Sequence, residues 1–379
     1  MTAIDERQIR VAKAAHAIGG AWAIVTGPDA VSYASGHEVP YETGPSPFAG
    51  GPTTAFVAAD GGCHLLLANN EPYTGRLETD RVVVYEGFSA ERPLQGNAEY
   101  VAAARRLARE LGVSGTVAVE AASFPASLAE ALADRIDATV PIDAALARAR
   151  MVKTGEEVVA LRRACAAADA GQRAALRSAS AGQTELELFA VIRCAMETEA
   201  GGRCCVAGEC SSGPERTAAL FDWPRTRRLE AGDPVIVDLA PRVGGYWADS
   251  ARTLVVGDEP GRALARLIAG TRSGLERACE VLRPGLTASA FDAVVRRAVL
   301  DGGGTEYAHH SGHSIGVSVH EDPRLVPGDE TTLEAGMVIM VEPSSYEPGV
   351  GGARSEWMFL VTEHGNEVIS AFESDQVSP

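Results

Sequence analysis

The chain has 379 residues, 46% of them hydrophobic and 22% charged, with a formal net charge of −17 at pH 7. This length predicts two domains, and the acidic balance makes nucleic acid and anionic membranes unfavourable partners. No apolar run approaches the roughly 18 residues of a membrane span. The charged start MTAIDERQIRVAK lacks a signal-peptide pattern, and seven cysteines without disulfide spacing predict reduced thiols, so we expect a cytoplasmic protein.

The first 150 residues alternate strand patterns with helical patterns. Helices are predicted over residues 5–18, 99–111 and 125–136. Short apolar runs bounded by turn residues predict the strands, namely AWAIVTG, TTAFVAAD, CHLLLANN, DRVVVYEG and TVAVEAA. Such alternation predicts an α/β domain over residues 1–150.

Residues 151–379 combine long helices with hairpins and glycine-rich strands. Thr184, followed by Glu187 three residues later, predicts a capping box at one helix start. Helices are predicted over residues 156–178, 184–199, 260–282 and 287–301. Long helices beside antiparallel hairpins predict an α+β domain.

Two predicted hairpins each carry a pair of carboxylates. In PVIVDLAPRVGGYWADSARTLVV, a fold about Val243–Gly244 places Asp238 opposite Asp249. In MVIMVEPSSYEPGVGGARSEWMFLV, the equivalent fold places Glu342 opposite Glu356. Opposed side chains lie about 5 Å apart on one face. Each acid alone is more often a turn cap or a salt-bridge partner, but two such pairs on apolar strands are costly without a cation.

The segment HHSGHSIGVSVHE lies between the two hairpins and holds four of the eight histidines. Four carboxylates with one imidazole suit two divalent ions, of which Mn²⁺, Co²⁺, Fe²⁺ and Zn²⁺ are candidates, better than one structural zinc. Two ions about 3.5–4 Å apart lower the pKa of a shared water towards 7 and generate hydroxide at neutral pH.

The order D-x10-D, H-x3-H-x6-H-E-x-P, E-P and R-x-E resembles the pita-bread metallohydrolase superfamily, which includes Xaa-Pro aminopeptidase, prolidase, methionine aminopeptidase and creatinase. RPGLTASAFDAVV and LEAGDPVIVD extend the resemblance through the second domain. DAVSYASG resembles the creatinase/prolidase N-terminal domain more loosely. The resemblance implies an α+β pita-bread catalytic domain over residues 151–379, a smaller α/β creatinase-type domain over residues 1–150, and a homodimer.

Matching positions imply the ligand set. Asp249 and Glu356 would bridge the two ions, and Asp238 would be a terminal ligand. His313 and Glu342 would complete the second metal position. The implied metal ligands are therefore Asp238, Asp249, His313, Glu342 and Glu356.

The resemblance also implies catalytic groups around the ions. His320 resembles a histidine that contacts substrate and stabilises the tetrahedral intermediate; the alternative is a structural histidine beside Glu321. His309 matches a histidine near the substrate pocket, and Glu342 or a neighbouring carboxylate would shuttle the proton. His310 matches no family position.

Other positions around the ions either match the family pattern or depart from it. Arg354 matches an arginine that orients a ligand carboxylate, and Tyr246 is placed in the substrate pocket. Phe221 occupies the position of a histidine that the peptidases carry beside the scissile amide. Further departures are Ala251, Ser344 and Trp357.

These features predict a metal-dependent hydrolase, most simply a Mn²⁺ enzyme, that splits a C–N bond in a small amide or peptide-like molecule. Because phenylalanine cannot donate a hydrogen bond, Phe221 predicts a substrate other than an ordinary dipeptide. The alternatives are a lyase or specialised tailoring enzyme on the same scaffold, and a non-catalytic binding protein.

Overall fold

The computed structural model describes residues 5–41, 50–75, 77, 81–257, 259–372 and 375–377. The chain forms two compact units, Met1–Arg150 and Met151–Pro379. Within the described ranges, no helix combines the length and apolar character needed to cross a membrane.

The first unit is built on a six-stranded mixed sheet in the order β4-β3-β2-β1-β5-β6. The central strand β1 runs antiparallel to β2 and parallel to β5. Ile24, Phe56 and Val117 from these strands pack against Tyr100 and Leu107 to form the core. Its elements are α1 (Glu6–Ala17), β1 (Trp22–Val25), α2 (Pro28–Ser35), β2 (Thr54–Ala58), β3 (Cys63–Ala68), β4 (Val82–Tyr85), α3 (Gly96–Glu110), β5 (Gly115–Val119), α4 (Ala126–Leu132), β6 (Ile136–Pro141) and α5 (Asp143–Met151).

One predicted helix of this unit is too long. The pattern over residues 125–136 predicted a single helix, but α4 ends at Leu132 and Ile136 begins β6, which pairs with β5 in parallel. In the sequence IDATVP apolar and polar side chains alternate and several residues are β-branched, and both features favour a strand. Together with its other helices and strands, the unit has the predicted mixture of α and β structure.

The second unit has the predicted α+β architecture. Two sheets run in the orders β18-β10-β8-β7, with β9 also pairing β8, and β12-β11-β13-β16-β17, and β14 pairs with β15. Its elements are α6 (Gly155–Ser178), α7 (Glu185–Ala200), β7 (Cys205–Ser212), α8 (Pro214–Thr217), β8 (Pro234–Val243), β9 (Tyr246–Trp247), β10 (Ser250–Val255), α9 (Arg262–Val281), α10 (Ala288–Asp301), β11 (Gly312–Ser314), β12 (Glu321–Arg324), β13 (Val338–Val341), β14 (Ser344–Glu347), β15 (Gly351–Arg354), β16 (Trp357–Val361), β17 (Asn366–Val368) and β18 (Asp375–Val377).

Two helices of this unit begin with capping boxes. At the start of α7 the Glu187 backbone N–H donates to Thr184 Oγ1 at 3.1 Å, and the Thr184 N–H donates to Glu187 Oε2 at 2.8 Å. This confirms the predicted box. Thr154 and Glu157 repeat the arrangement at the start of α6. Each box satisfies two backbone donors that the first helical turn leaves without partners.

The first carboxylate hairpin has a different register from the predicted one. Asp238 pairs with Ala251, so its predicted opposition to Asp249 is wrong by two positions. The turn is Gly244–Gly245, with φ of 61° and 84°. A two-residue hairpin turn with positive φ at both central residues favours glycine at these positions, and here both residues are glycine. Because the shift is even, both aspartates remain on the same face.

The second carboxylate hairpin has the predicted register. Val341 pairs with Trp357, and Ser344 pairs with Arg354. Both pairs satisfy a fold about Gly349, so Glu342 and Glu356 occupy opposed positions between them.

Candidate metal centre

Three carboxylates from the two hairpins converge in the second unit. Ligand oxygens of Asp238, Asp249 and Glu356 all lie within 4.8 Å of one another. Asp238 lies within β8, Asp249 precedes β10 and Glu356 precedes β16. The Glu356 backbone N–H donates to the carbonyl oxygen of Ala251 at 2.9 Å, which joins the hairpins beside the cluster.

His313 and Glu342 extend this cluster. His313 Nε2 lies 3.7 Å from Asp249 Oδ2 and 3.7 Å from Glu342 Oε1. His313 Nδ1 lies 2.9 Å from the carbonyl oxygen of Ser314. Because a carbonyl only accepts, Nδ1 carries the proton and the lone pair of Nε2 faces the carboxylates. This tautomer is the one that a metal-binding histidine needs.

The charges of the cluster are strongly coupled. Burial, followed by repulsion from neighbouring carboxylates, raises the pKa values of Asp249 and Glu356 well above their ordinary ranges. Burial also raises the pKa of Asp238, although Arg354 opposes the shift. Burial acts in the same direction on Glu342, but contacts with three histidines outweigh it and lower its pKa to about 2.

Two buried carboxylate oxygens show that a cation fits here. Asp249 Oδ1 and Glu356 Oε2 have no hydrogen-bond partner among the described residues. Their residues are only 7% and 3% exposed. A buried carboxylate without a partner is costly, and a divalent ion between these acids would satisfy both oxygens. The donor set of four carboxylates and one imidazole suits such ions.

Arg354 donates a hydrogen bond to Asp238, one of the predicted ligands, and its role in orienting that ligand stays a prediction. Its buried guanidinium donates from Nη1 to Asp238 Oδ2 at 2.7 Å and to Glu209 Oε2 at 3.1 Å. Burial raises the pKa of Glu209 to about 7, although Arg354 opposes the shift. Glu209 was not among the residues predicted from the sequence. Its signal was an acid within the apolar strand β7, where it pairs directly with Asp238.

His309 is linked to the same arginine through Tyr346. Arg354 Nη2 donates to Tyr346 Oη at 2.8 Å, and the tyrosine hydroxyl lies 3.2 Å from His309 Nε2. His309 Nδ1 donates to the carbonyl oxygen of His310 at 2.7 Å, so Nε2 accepts the tyrosine proton. Burial lowers the pKa of His309 to about 4, which keeps the imidazole neutral. Its catalytic role stays a prediction.

His310 also lies in the centre, although it matches no family position. Arg324 Nη1 donates to His310 Nδ1 at 2.9 Å. The proton of this imidazole is therefore on Nε2, which lies 2.7 Å from Glu342 Oε1. Arg324 thus fixes the His310 tautomer in which the Nε2 proton faces Glu342, a predicted metal ligand.

His320 lies at the open side of the centre. Its ring centroid is 4.3 Å from that of His313 and 5.6 Å from that of His310. Ring nitrogens of these three histidines lie within 4.8 Å of one another. Burial and then Arg324 lower the pKa of His320. This position suits the predicted contact with substrate, which stays a prediction.

The two predicted pocket residues have different surroundings. Phe221 is 50% exposed and packs edge-on against Trp223, with ring centroids 4.8 Å apart. The preceding carbonyl, of Leu220, accepts a hydrogen bond from Arg354 Nη2 at 2.6 Å. Phe221 is thereby tied to the edge of the centre. Tyr246 is buried in β9, and its pocket role stays a prediction.

Comparisons with known proteins bear on this geometry. Residues 159–363 match the family described as "Metallopeptidase family M24", and residues 7–152 match "Creatinase/Prolidase N-terminal domain". The chain is 30% identical over 354 residues to the Xaa-Pro dipeptidase of Pyrococcus furiosus, covering 92% of this chain and 94% of that protein. It is 37% identical over 224 residues to the probable dipeptidase PepE of Mycobacterium tuberculosis, covering 58% of each.

Solved structures give the same result for the fold. Dipeptidase PepE from Mycobacterium ulcerans matches with a TM-score of 0.73 and 30% identity, covering 99% of this chain and 97% of that one. Prolidase from Pyrococcus furiosus matches with a TM-score of 0.75 and 26% identity, covering 96% and 99%.

These relatives are named as dipeptidases, so the inference from Phe221 that the substrate is not an ordinary dipeptide is not supported. The alternatives of a lyase and of a non-catalytic binding protein gain no support either. Both domain matches, the long relative and the fold agree with the resemblance read from the sequence. The chain belongs to metallopeptidase family M24, behind a creatinase/prolidase N-terminal domain, and it is a metal-dependent hydrolase of the Xaa-Pro peptidase type.

Proposed function

We propose that the protein is a dipeptidase that uses two divalent metal ions to hydrolyse Xaa-Pro dipeptides. The observation that carries this proposal is the convergence of Asp238, Asp249, His313, Glu342 and Glu356, with two buried oxygens lacking partners, in a chain related along 92% of its length to an Xaa-Pro dipeptidase.

The five ligands would share the two ions. On the family resemblance, Asp249 and Glu356 would be ligands of both ions, Asp238 would bind one ion, and His313 with Glu342 would bind the other. Bound ions would supply an activated water at neutral pH and polarise the substrate carbonyl. Mn²⁺ is the metal that we expect, and Co²⁺, Fe²⁺ and Zn²⁺ suit the same donors.

The chain's own side chains would position the substrate and carry the proton. Glu342, buried and ionised, would accept a proton from the attacking water and pass it to the leaving nitrogen. The tautomers of its three histidine neighbours are fixed by their hydrogen bonds, and His310 Nε2 lies 2.7 Å from Glu342 Oε1. His320 and His309 would contact the substrate, with His320 placed to stabilise the developing oxyanion.

The test is a substrate panel on chelator-stripped protein reloaded with Mn²⁺ or Co²⁺. Ala-Pro and Leu-Pro are compared with Ala-Ala, Leu-Ala and the tripeptide Met-Ala-Ser. We expect kcat/KM above about 10⁴ M⁻¹s⁻¹ on the Xaa-Pro dipeptides, with loss of activity after chelation. If both ions are bound and no Xaa-Pro dipeptide is cleaved, the proposed substrate class is wrong.

We also propose a homodimer, on the family resemblance alone. Light scattering at assay concentration tests it, and a mass near 39.6 kDa, that of one chain, would contradict it.

A further inference from the structure

A buried ammonium group lies beneath the histidine-bearing segment of the second unit. The chain has only two lysines, and the side chain of Lys153 is fully buried. Lys153 Nζ donates to Glu321 Oε2 at 3.1 Å, to Ser314 Oγ at 2.8 Å and to the carbonyl oxygen of Met151 at 3.2 Å. Its three N–H groups therefore have three acceptors.

Two of these acceptors are the two ends of one segment. Residues 314–321 connect β11 to β12, and Ser314 and Glu321 are its first and last residues. The segment turns tightly around the Glu321 carboxylate. Ser318 N–H donates to Glu321 Oε1 at 3.2 Å, and a Cβ added at Gly316 would lie only 2.7 Å from Glu321 Oε2. Lys153 thus links the two ends of this turn through its hydrogen bonds to Ser314 and Glu321.

Both ends of the turn are joined to histidines of the metal centre. The carbonyl of Ser314 accepts the Nδ1 proton of His313, and His320 immediately precedes Glu321. A displacement of either end would rotate one of these imidazoles.

We propose that Lys153 is a positioning residue for His313 and His320. The proposal rests on the proposed function only for the catalytic role of His320. A lysine suits this place because its acceptors surround one nitrogen, whereas the planar fork of arginine suits paired acceptors.

A contribution to folding stability does not by itself explain why Lys153 and Glu321 form a buried ion pair. The Glu321 side chain is 4% exposed and that of Lys153 is fully buried, so both charges have lost their hydration. Buried pairs of this kind are often no more stabilising than apolar residues of similar volume. The geometry that they impose on the turn is the property that an apolar pair would not reproduce.

The experiment compares the parent with Lys153→Met, Glu321→Gln and the double variant, all in the full chain. Three quantities are measured: hydrogen exchange of the amides in residues 315–320, the unfolding temperature, and kcat and KM on Ala-Pro. Thr154→Ala is the matched control, since it removes the neighbouring cap of α6 and does not touch the turn.

We expect Lys153→Met to accelerate exchange in residues 315–320 by at least about tenfold, because the hydrogen bonds at the base of the turn are lost. We expect kcat to fall about tenfold to a hundredfold through misplaced imidazoles, with little change in KM. The double variant should regain unfolding temperature, because no unpaired charge stays buried, but neither loop protection nor kcat. Thr154→Ala should lower the unfolding temperature while exchange in the turn stays as in the parent.

Parent-like exchange in Lys153→Met would overturn the proposal, as would a double variant that regains both protection and kcat. If Lys153→Met does not fold, Glu321→Gln decides by the same exchange measurement. Hydrogen exchange needs no substrate, so this outcome stands even if Ala-Pro is not cleaved.

Discussion

At the scale of single residues, the centre contains buried carboxylates whose oxygens lack hydrogen-bond partners among the described residues. Asp249 is buried, its Oδ1 has no hydrogen-bond partner among the described residues, and its nearest charged neighbours include other acids. In the metal-free protein these features oppose ionisation. With two cations present the same features become favourable, because each carboxylate then faces opposite charge.

The first prediction follows for Asp249→Asn, which keeps the side-chain shape and removes the charge. We expect loss of at least one of two ions per chain and of nearly all turnover, with the circular dichroism spectrum unchanged. Elemental analysis and kinetics measure this. Asp169→Asn is the matched control, since Asp169 is also buried in this unit with a raised pKa. Two ions per chain and parental turnover in Asp249→Asn would exclude a bridging role.

The second prediction concerns His320. If this imidazole stabilises the oxyanion, His320→Ala should lower kcat by about 10²–10³, the usual effect of removing one such donor. The metal content should stay the same. Because ring nitrogens of His310, His313 and His320 lie within 4.8 Å of one another, a falling metal content would instead make His320 a ligand.

At the scale of elements, the sequence predicted which face of each hairpin the carboxylates occupy, but it predicted the strand register correctly for only one of the two hairpins. The fold about Gly349 was correct, because the register pairs on both sides of Glu342 agree with it. The other hairpin shifted by two residues, because the turn uses Gly244–Gly245, where positive φ is tolerated. Since side chains alternate with a period of two, the error left both aspartates on the predicted face.

Contacts between distant segments could not be predicted from local pattern. Arg324 fixes the tautomer of His310, and Glu209 shares Arg354 with Asp238. These contacts depend on how β7, β12 and β15 are packed in the unit, and spacing along the chain carries little information about that packing. The ligand set could be proposed from the sequence because each of its residues lies on a predicted hairpin or in one histidine-rich segment, and it stays a prediction.

The third prediction uses the opposed hairpin pair in metal-free protein. Burial and then neighbouring carboxylates raise the pKa of Glu356 above that of the unfolded chain, which is about 4.3 for glutamate. The folded state therefore holds this proton more tightly, and stability contributed by the protonated form is lost as pH rises from about 4.3 through the folded-state pKa. Glu356→Gln should escape that loss. Its unfolding temperature relative to the parent should increase as pH rises.

Glu342→Gln is the control with the opposite sign. Contacts with histidines lower the pKa of Glu342 to about 2 despite its burial. Its ionised form contributes stability above the unfolded-chain pKa of about 4.3, and this contribution is lost as pH falls towards 2. The variant should thus be less stable than the parent at neutral pH, with a smaller difference in acid. Parallel pH profiles for the two variants would contradict the assigned charges.

At the scale of the whole molecule, the two units have separate cores. Ile24, Phe56 and Tyr100 belong to the core of the first unit. Phe291 and Ile339 belong to a core of the second unit, which also holds the metal centre. A ligand that binds only the native state stabilises the structure that forms its site. Metal binding should therefore act unequally on the two units.

The last prediction is that chelation weakens the second unit selectively. A free ion concentration of 100 times Kd stabilises a site by about 2.7 kcal/mol, so removing metal should accelerate exchange at the most protected amides of β8, β10, β11 and β13 by about a hundredfold. Amides of β1, β2 and β5 should exchange as before, because their hydrogen bonds and core lie in the first unit. Hydrogen exchange with and without chelator measures both sets in one sample. Asp249→Asn, with its impaired site, should show a reduced response. Equal acceleration in the two units would mean that they unfold as one cooperative structure, and no response in either would mean that the carboxylate cluster does not bind metal.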